Sequence, residues 1–414
     1  MKTPNSPNPE EDRRIGSLPR NVWAVSLTSF LMDISSEMVL KTLPLFLTNV
    51  LGVRIVLVGL IEGTAETTSS LPKIFSGWFS DYLRQRKWLA VAGYALSAIS
   101  RPLFYFATGW TWVAGGRWID RVGKGIRTAP RDALVADSIS SSRRGLAFGF
   151  HRAADTAGPT LGIAIALAVV FYLQTDSDYL TDNVFRTIVL VSLFPAFLAV
   201  LSLIVGAKDV KVASQAERPR FSLSALGRPF TIFICLVGLF ELGNSSDAFL
   251  ILLAQERGLS LTGILGMLLT FNLVYTVVSM PAGSLSDRID RKKIIVVGWL
   301  VYAVIYLGFA VSQTGTQIWV LYALYGIYYG MAYGTSKAMI ADIVPAESRG
   351  TAYGLYSAVL GLLNLPSSVI AGLLWEGAGS WEGFGPSAPF VWGAALAFVS
   401  AILMALWRPP KRTR

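Results

Sequence analysis

Twelve stretches of this 414-residue chain are each long and apolar enough to cross a lipid bilayer, and no other feature of the sequence limits its fold so strongly. About 20 mostly apolar residues span roughly 30 Å of hydrocarbon as a helix. Inside the bilayer no water satisfies the backbone, so a chain of this kind must fold as helices. The stretches run approximately over residues 22–50, 55–80, 88–108, 111–138, 146–173, 185–206, 229–254, 261–285, 294–312, 317–343, 350–375 and 387–407. Composition agrees: 53% of residues are hydrophobic and 15% charged, mean hydropathy is +0.52, and soluble domains average about 25% charged residues. The expected class is an all-α membrane protein with twelve transmembrane helices.

Lysine and arginine accumulate in cytoplasmic loops, which orients the expected helices. With both termini inside, the inner segments hold 23 basic residues, whereas the outer ones hold only Arg54 and Arg257. This bias accounts for most of the net charge of +10 through topology and contact with anionic membrane lipids, without any nucleic-acid partner. Residues 1–21 are polar and proline-rich and show no cleavable leader pattern, so they read as a disordered cytoplasmic tail, mirrored by a basic tail at 408–414. Cys235 is the only cysteine and His151 the only histidine, which leaves no disulfide, no histidine or cysteine metal cluster and no cofactor motif; with no nucleophile motif either, the chain is not expected to be an enzyme.

Ionised groups at membrane depth are costly and persist where they face water or one another. The fourth stretch nevertheless carries Arg117, Asp120, Arg121, Lys124, Arg127, Arg131 and Asp132, and Arg117, Arg121, Lys124 and Arg131 share one helical face. The stripe has two readings, an anion-binding pathway or the neutralisation of acids on neighbouring helices. Those acids are Asp33 and Glu37 in the first stretch, Glu62 and Glu66 in the second, Asp155 in the fifth, and Glu241 and Asp247 in the seventh. Asp33/Glu37 and Glu62/Glu66 are same-face pairs, an arrangement that favours carrying a proton. Asp33, Glu37, Glu62, Glu66, Asp155 and His151 are therefore the coupling candidates, with Asp33 and Glu37 preferred because they lie near mid-span. For substrate the candidates are Arg117, Arg121, Lys124, Arg127 and Arg152, together with Tyr322, Tyr325 and Tyr329 of a tyrosine-rich tenth stretch that also suits plain packing. Lys337 is a further candidate for an inner gate.

The chain repeats itself at an offset of about 205 residues. Gly77-Trp-Phe-Ser-Asp81 answers Gly283-Ser-Leu-Ser-Asp287, each followed by basic residues, and Ala136-Asp137 and Arg144-Gly145 answer Ala341-Asp342 and Arg349-Gly350. Two six-helix halves, 22–206 and 229–407, follow, joined by a hydrophilic linker at 207–228. These motifs resemble the major facilitator superfamily of secondary transporters. Gly77-xxx-Asp81 and Gly283-xxx-Asp287-Arg288 are similar to its loop signature. Arg121-Val-Gly-Lys124-Gly125 resembles a pattern of proton-coupled exporters, with lysine where glutamine is usual. Pro345-Ala-Glu347-Ser-Arg349-Gly350 is similar to a sugar-porter signature with one extra residue. Arg127-Thr-Ala-Pro-Arg131-Asp132 and His151-Arg152-Ala-Ala-Asp155 resemble a less characterised bacterial branch. The resemblance implies two pseudo-symmetric halves, with Gly77, Asp81, Arg84, Asp137, Arg144, Gly283, Asp287, Arg288, Asp342 and Arg349 near the inner helix ends as gate residues.

The expectation is a proton-coupled transporter of a small organic anion, a carboxylate or phosphorylated metabolite, working by alternating access as a monomer in the bacterial cytoplasmic membrane. An exporter of amphipathic or cationic drugs, and a sensor that keeps the fold without flux, are the alternatives.

Overall fold

The computed structural model describes residues 15–83, 85–140, 143–173, 178–210, 226–286, 290–344 and 349–408. Helices α1 (Arg20–Leu40), α2 (Ile55–Leu83), α3 (Arg86–Tyr105), α4 (Trp110–Asp137), α5 (Arg144–Leu173) and α6 (Asp182–Gly206) form the first half. The second comprises α7a (Gly227–Gly243) and α7b (Ala248–Glu256), α8 (Leu261–Ser286), α9 (Arg291–Val311), α10 (Gly315–Ile343), α11 (Arg349–Glu376) and α12 (Ala388–Leu406). The described residues contain no β-strand beyond one isolated bridge, Ala378 to Trp381. The start of α1 and the end of α12 lie on one face of the bundle, termed basal here; the opposite face is distal. The linker expected at 207–228 falls mostly outside the described residues.

Seven segments, α5, α6, the whole of α7, α8, α9, α11 and α12, are apolar enough to cross a membrane on composition alone. The others, α1 to α4 and α10, carry the ions and tyrosines and depend on their neighbours to mask them. Buried residues form two cores, the larger running from α1 to α12 and the smaller uniting the basal parts of α1, α3, α4 and α6.

Two predicted spans are not continuous. The first stops at Lys41, resumes at Leu43–Leu45 and ends in a π-turn at Phe46–Val50. The seventh breaks over Asn244–Asp247, after Gly243. The freed backbone is satisfied by hydroxyls, as it must be away from water: the Ser246 amide donates to Ser368 Oγ (3.3 Å) and the Ala248 amide to Ser246 Oγ (3.3 Å). Both breaks fall at the same point of the repeat.

Small residues set the spacing of the helices. A Cβ on Gly93 would lie 2.7 Å from the Gly123 carbonyl and one on Gly123 2.6 Å from the Gly93 carbonyl, so α3 and α4 touch backbone to backbone. Gly125 brings α4 equally close to Ser69 and Pro72 of α2. Helix α4 is thereby wedged between α2 and α3, and Gly158 and Gly162 press α5 against Phe30, Asp33 and Ile34 of α1.

The halves meet distally. Gly59 and Gly63 of α2 abut the backbone of Ser368 and Leu365 in α11, and Gly372 abuts Val56. Polar ties join them at the same level: Lys41 to Asp247 (3.4 Å), Gln255 to Asn49 (3.0 Å), Arg54 to Glu376 (3.2 Å) and the Leu261 amide to the Asp178 carbonyl (3.0 Å).

Candidate functional site

The close approach of α2, α3 and α4 determines what the ions of α4 meet. Arg117 donates to Glu62 of α2 through Nε (3.0 Å) and, more closely, through Nη2; it also lies 3.7 Å from Glu66. One turn deeper, Arg121 Nη2 reaches Glu66 at 2.6 Å. Because α2 and α4 run in the same direction, the i, i+4 spacing on each helix produces two rungs in register. On the other side of α4, Asp120 accepts from Nη2 of Arg101 in α3 (3.3 Å), which also reaches Ser36 Oγ (2.8 Å), while Arg101 Nε donates to Ser35 Oγ (3.1 Å) of α1. Arg101 is fully buried.

Each of these ions would cost several kcal/mol if left alone at membrane depth. The geometry matches Arg117, Arg121 and Arg101 with Glu62, Glu66 and Asp120. Arg117 and Arg121 thus lie against acids of α2, the arrangement that the neutralisation reading of the stripe expects. Two cations of α4 have no carboxylate among the described residues. Arg127 is buried, donates to Ser97 Oγ (2.8 Å) and stacks over the Tyr94 ring at 4.4 Å. Lys124 is exposed and makes no described hydrogen bond or ion pair; the charges acting on it are those of Arg121, Glu66, Asp33 and Arg127. An exposed amine among the charges of α1 and α2 faces water rather than hydrocarbon.

Among the expected coupling acids, Glu62 and Glu66 are engaged by arginines, whereas Asp33 and Glu37 are half-buried and form no described ion pair. Asp33 packs against Gly158 of α5. Asp155 lies 3.6 Å from His151 Nε2 and 3.8 Å from Arg131, which also donates to Asp132 (2.9 Å) and Ser29 Oγ (3.0 Å). Arg152 is exposed and donates to Tyr275 of α8 (3.2 Å), a bond between the halves.

The tyrosines of α10 sit in an aromatic block. Tyr322 and Tyr325 are fully buried and Tyr329 half-buried, among Phe271 and Tyr275 of α8, Tyr302, Tyr306 and Phe309 of α9, and Phe240 of α7a. At the basal face, Asp137 pairs with Arg86 (2.9 Å) and Asp342 with Arg291 (2.8 Å), one ion pair at equivalent places in each half. The side chains of Gly77, Asp81, Arg84, Arg144, Gly283, Asp287, Arg288, Lys337 and Arg349 lie outside the described residues.

The sequence reading passed over Arg101 and Lys41. Arg101 is the only ion in the predicted third stretch, which was signal enough to mark it. Lys41 sits near the end of a long apolar stretch, and nothing local distinguishes it from an interfacial residue.

The chain matches the Major Facilitator Superfamily over residues 25–269 and again over 233–414. It belongs to that superfamily. A transporter of this superfamily from Methanocaldococcus jannaschii, itself uncharacterised, is 34% identical over 403 residues, covering 96% of each chain. Multidrug resistance protein 1 of Bacillus subtilis is 31% identical over 159 residues, 38% of this chain and 39% of that one. The solved structure of the nucleoside transporter NupG superposes with a TM-score of 0.75 over 94% of this chain and 100% of that one, at 13% identity, a likeness of fold alone. The protein is thus a multi-pass membrane transporter built as two six-helix halves, and its substrate is a small molecule.

Proposed function

We propose that this superfamily member is a proton-coupled carrier of a small organic anion. The observation that carries the reading is Lys124, an exposed cation without a described partner, beside arginines already matched by carboxylates. An anion entering the space between the halves finds this amine available, with Arg127 behind it adding positive potential. Arg117 and Arg121 then act as the scaffold that fixes α4, and the binding role expected of them moves to Lys124, with Arg152 as a second donor. Asp33 and Glu37 fit proton carriage because they lie half-buried near mid-span and neither forms a described ion pair. The basal face, with its excess of lysine and arginine, is assigned to the cytoplasm of a bacterial cell. In this orientation the distal ties between the halves lie on the outer side, and release of those ties accompanies outward opening.

The test is binding and flux in proteoliposomes across carboxylates, phosphorylated metabolites and lipophilic cations. Lys124→Gln should weaken anion binding about tenfold or more, as expected for loss of a charge-assisted bond, with Lys124→Arg largely preserving it. Asp33→Asn should depress proton-driven accumulation more than exchange. Unchanged anion binding in Lys124→Gln would remove the reading. The partial likeness to a multidrug resistance protein and the aromatic block support a second reading, export of amphipathic cations. It predicts the reverse: Lys124→Gln leaves cation transport intact or improves it.

A further inference from the structure

We propose that Glu241 is a proton-binding site in the C-terminal half, and that its protonation state controls the break in α7 and, through it, the tie between Lys41 and Asp247. The inference rests on the proton-coupled reading above and adds a second, differently placed site.

Glu241 lies on the last turn of α7a, half-buried, and makes no described ion pair. The polar contact it has is with the break itself: Asn244 Nδ2 donates to its Oε2 (3.1 Å), while Asn244 Oδ1 accepts from the Tyr302 hydroxyl of α9 (3.1 Å). Among the described residues it has no counter-charge within ion-pair distance. From α9 come Tyr302 and Trp299, and from α10 the neutral hydroxyls of Tyr328 and Tyr329 are in electrostatic reach. Where Gly238 and Gly243 of α7a pack on α11 and α12, their neighbours are Val359, Leu363, Gly393 and Leu396. Asp247, the other charge on this helix, is taken by Lys41. A carboxylate at this depth without a cation is stabilised most directly by taking up a proton.

Asn244 is where α7a stops; its backbone amide closes on the Glu241 carbonyl at 3.0 Å. Three residues on, Asp247 begins α7b. An ionised Glu241 holds the Asn244 amide by a charge-assisted bond, roughly twice as strong as its neutral counterpart. A proton arriving from water binds a carboxylate oxygen, cancels the charge and loosens the Glu241–Asn244–Tyr302 chain. The segment carrying Asp247 is then free to move away from Lys41. Loss of the proton restores the chain.

The experiment uses the full-length protein with Cys235→Ser and spin labels at Asn183→Cys and Glu256→Cys, two exposed distal positions on opposite halves. Distances between the labels are measured from acidic to mildly alkaline pH, alongside proton-driven flux. In the parent, acidification should shift the distribution toward longer distances. Glu241→Gln should show the parent's acidic distribution at every pH, and Glu241→Asp should keep the response. A parental pH response retained in Glu241→Gln would overturn the role of Glu241 while leaving proton coupling standing. If parental distances and flux both ignore pH, the coupled reading and this inference fall together.

Discussion

Helices α4 and α10 occupy equivalent places in the two halves, and their contacts can be laid over one another at an offset of 205 residues. In the first half Arg101 of α3 meets Asp120 of α4; the same positions in the second half are Tyr306 and Tyr325, whose rings lie 6.0 Å apart. Arg117 of α4 faces Glu66 of α2; the equivalents are Tyr322 and Phe271, with ring centroids 4.9 Å apart. The paired positions correspond and the chemistry does not. A bundle in lipid needs its helices held by something other than the hydrophobic effect, because the surroundings are already apolar. One half uses ion pairs for this and the other uses packed aromatic rings. Polarity is thereby concentrated among α1 to α4.

The largest effect expected from breaking this comparison is in the ion-paired half. Removing one partner, as in Asp120→Asn or Arg101→Leu, strands a buried charge and should cost about 3–5 kcal/mol, read as a fall in thermal stability in detergent. Installing the twin residues, Arg101→Tyr with Asp120→Tyr, removes both charges together. The double variant should be more stable than either single variant. If it is less stable than both, the two contacts are not interchangeable solutions to one packing problem.

In the aromatic half the ring should matter and the hydroxyl should not. Tyr322 is fully buried and its hydroxyl has no hydrogen-bond partner among the described residues. Tyr322→Ala should therefore cost about 3 kcal/mol or more, as large-to-small aromatic changes in cores do, while Tyr322→Phe should be neutral in stability and in transport. A Tyr322→Phe variant with normal stability and lost transport would instead place the hydroxyl in contact with substrate.

The fold was largely legible because apolar length reports directly on crossing a membrane, and the repeat required two like halves. The breaks in α1 and α7 were not read, since an average over an apolar stretch is insensitive to where a helix turns; Gly243, Asn244, Ser245 and Ser246 carried that signal locally. At the site, the same-face pairing of Glu62 with Glu66 and of Arg117 with Arg121 was visible in the spacing. That the two ladders face each other was not, because the glycine contacts that set α4 between α2 and α3 are properties of the packed bundle. Lys124 stood out only once its neighbours had found partners.

Where the halves agree chemically, substitutions should behave alike. Arg86–Asp137 and Arg291–Asp342 are equivalent basal ion pairs with side chains exposed to a similar small degree. Asp137→Asn and Asp342→Asn should each lower stability by about 1–2 kcal/mol, as expected for partly buried pairs. Their effects should match, and because the sites lie in different halves they should add in the double variant to within about 0.5 kcal/mol. Unequal effects would show that the two halves do not carry the basal closure equally.

The smallest effect is expected where the halves meet on their own axis. Lys41 with Asp247 and Asn49 with Gln255 are both separated by 206 residues, so each tie joins a residue to its own counterpart across the pseudo-two-fold. The Lys41–Asp247 pair is partly exposed, with side chains 22% and 32% accessible, so its worth is about 1 kcal/mol or less. That is small for folding but large for an equilibrium between open and closed forms, where about 1.4 kcal/mol is a factor of ten in population. Lys41→Ala or Asp247→Ala should leave stability nearly unchanged and raise the rate at which a cysteine in the distal half of the cavity is modified. Because the two positions are twins, exchanging the residues, Lys41→Asp with Asp247→Lys, places each in its partner's setting and should restore slow modification. If the exchange behaves like the single variants, the tie depends on surroundings that the repeat does not reproduce, such as Glu37 beside Lys41, and the axis is symmetric in backbone only.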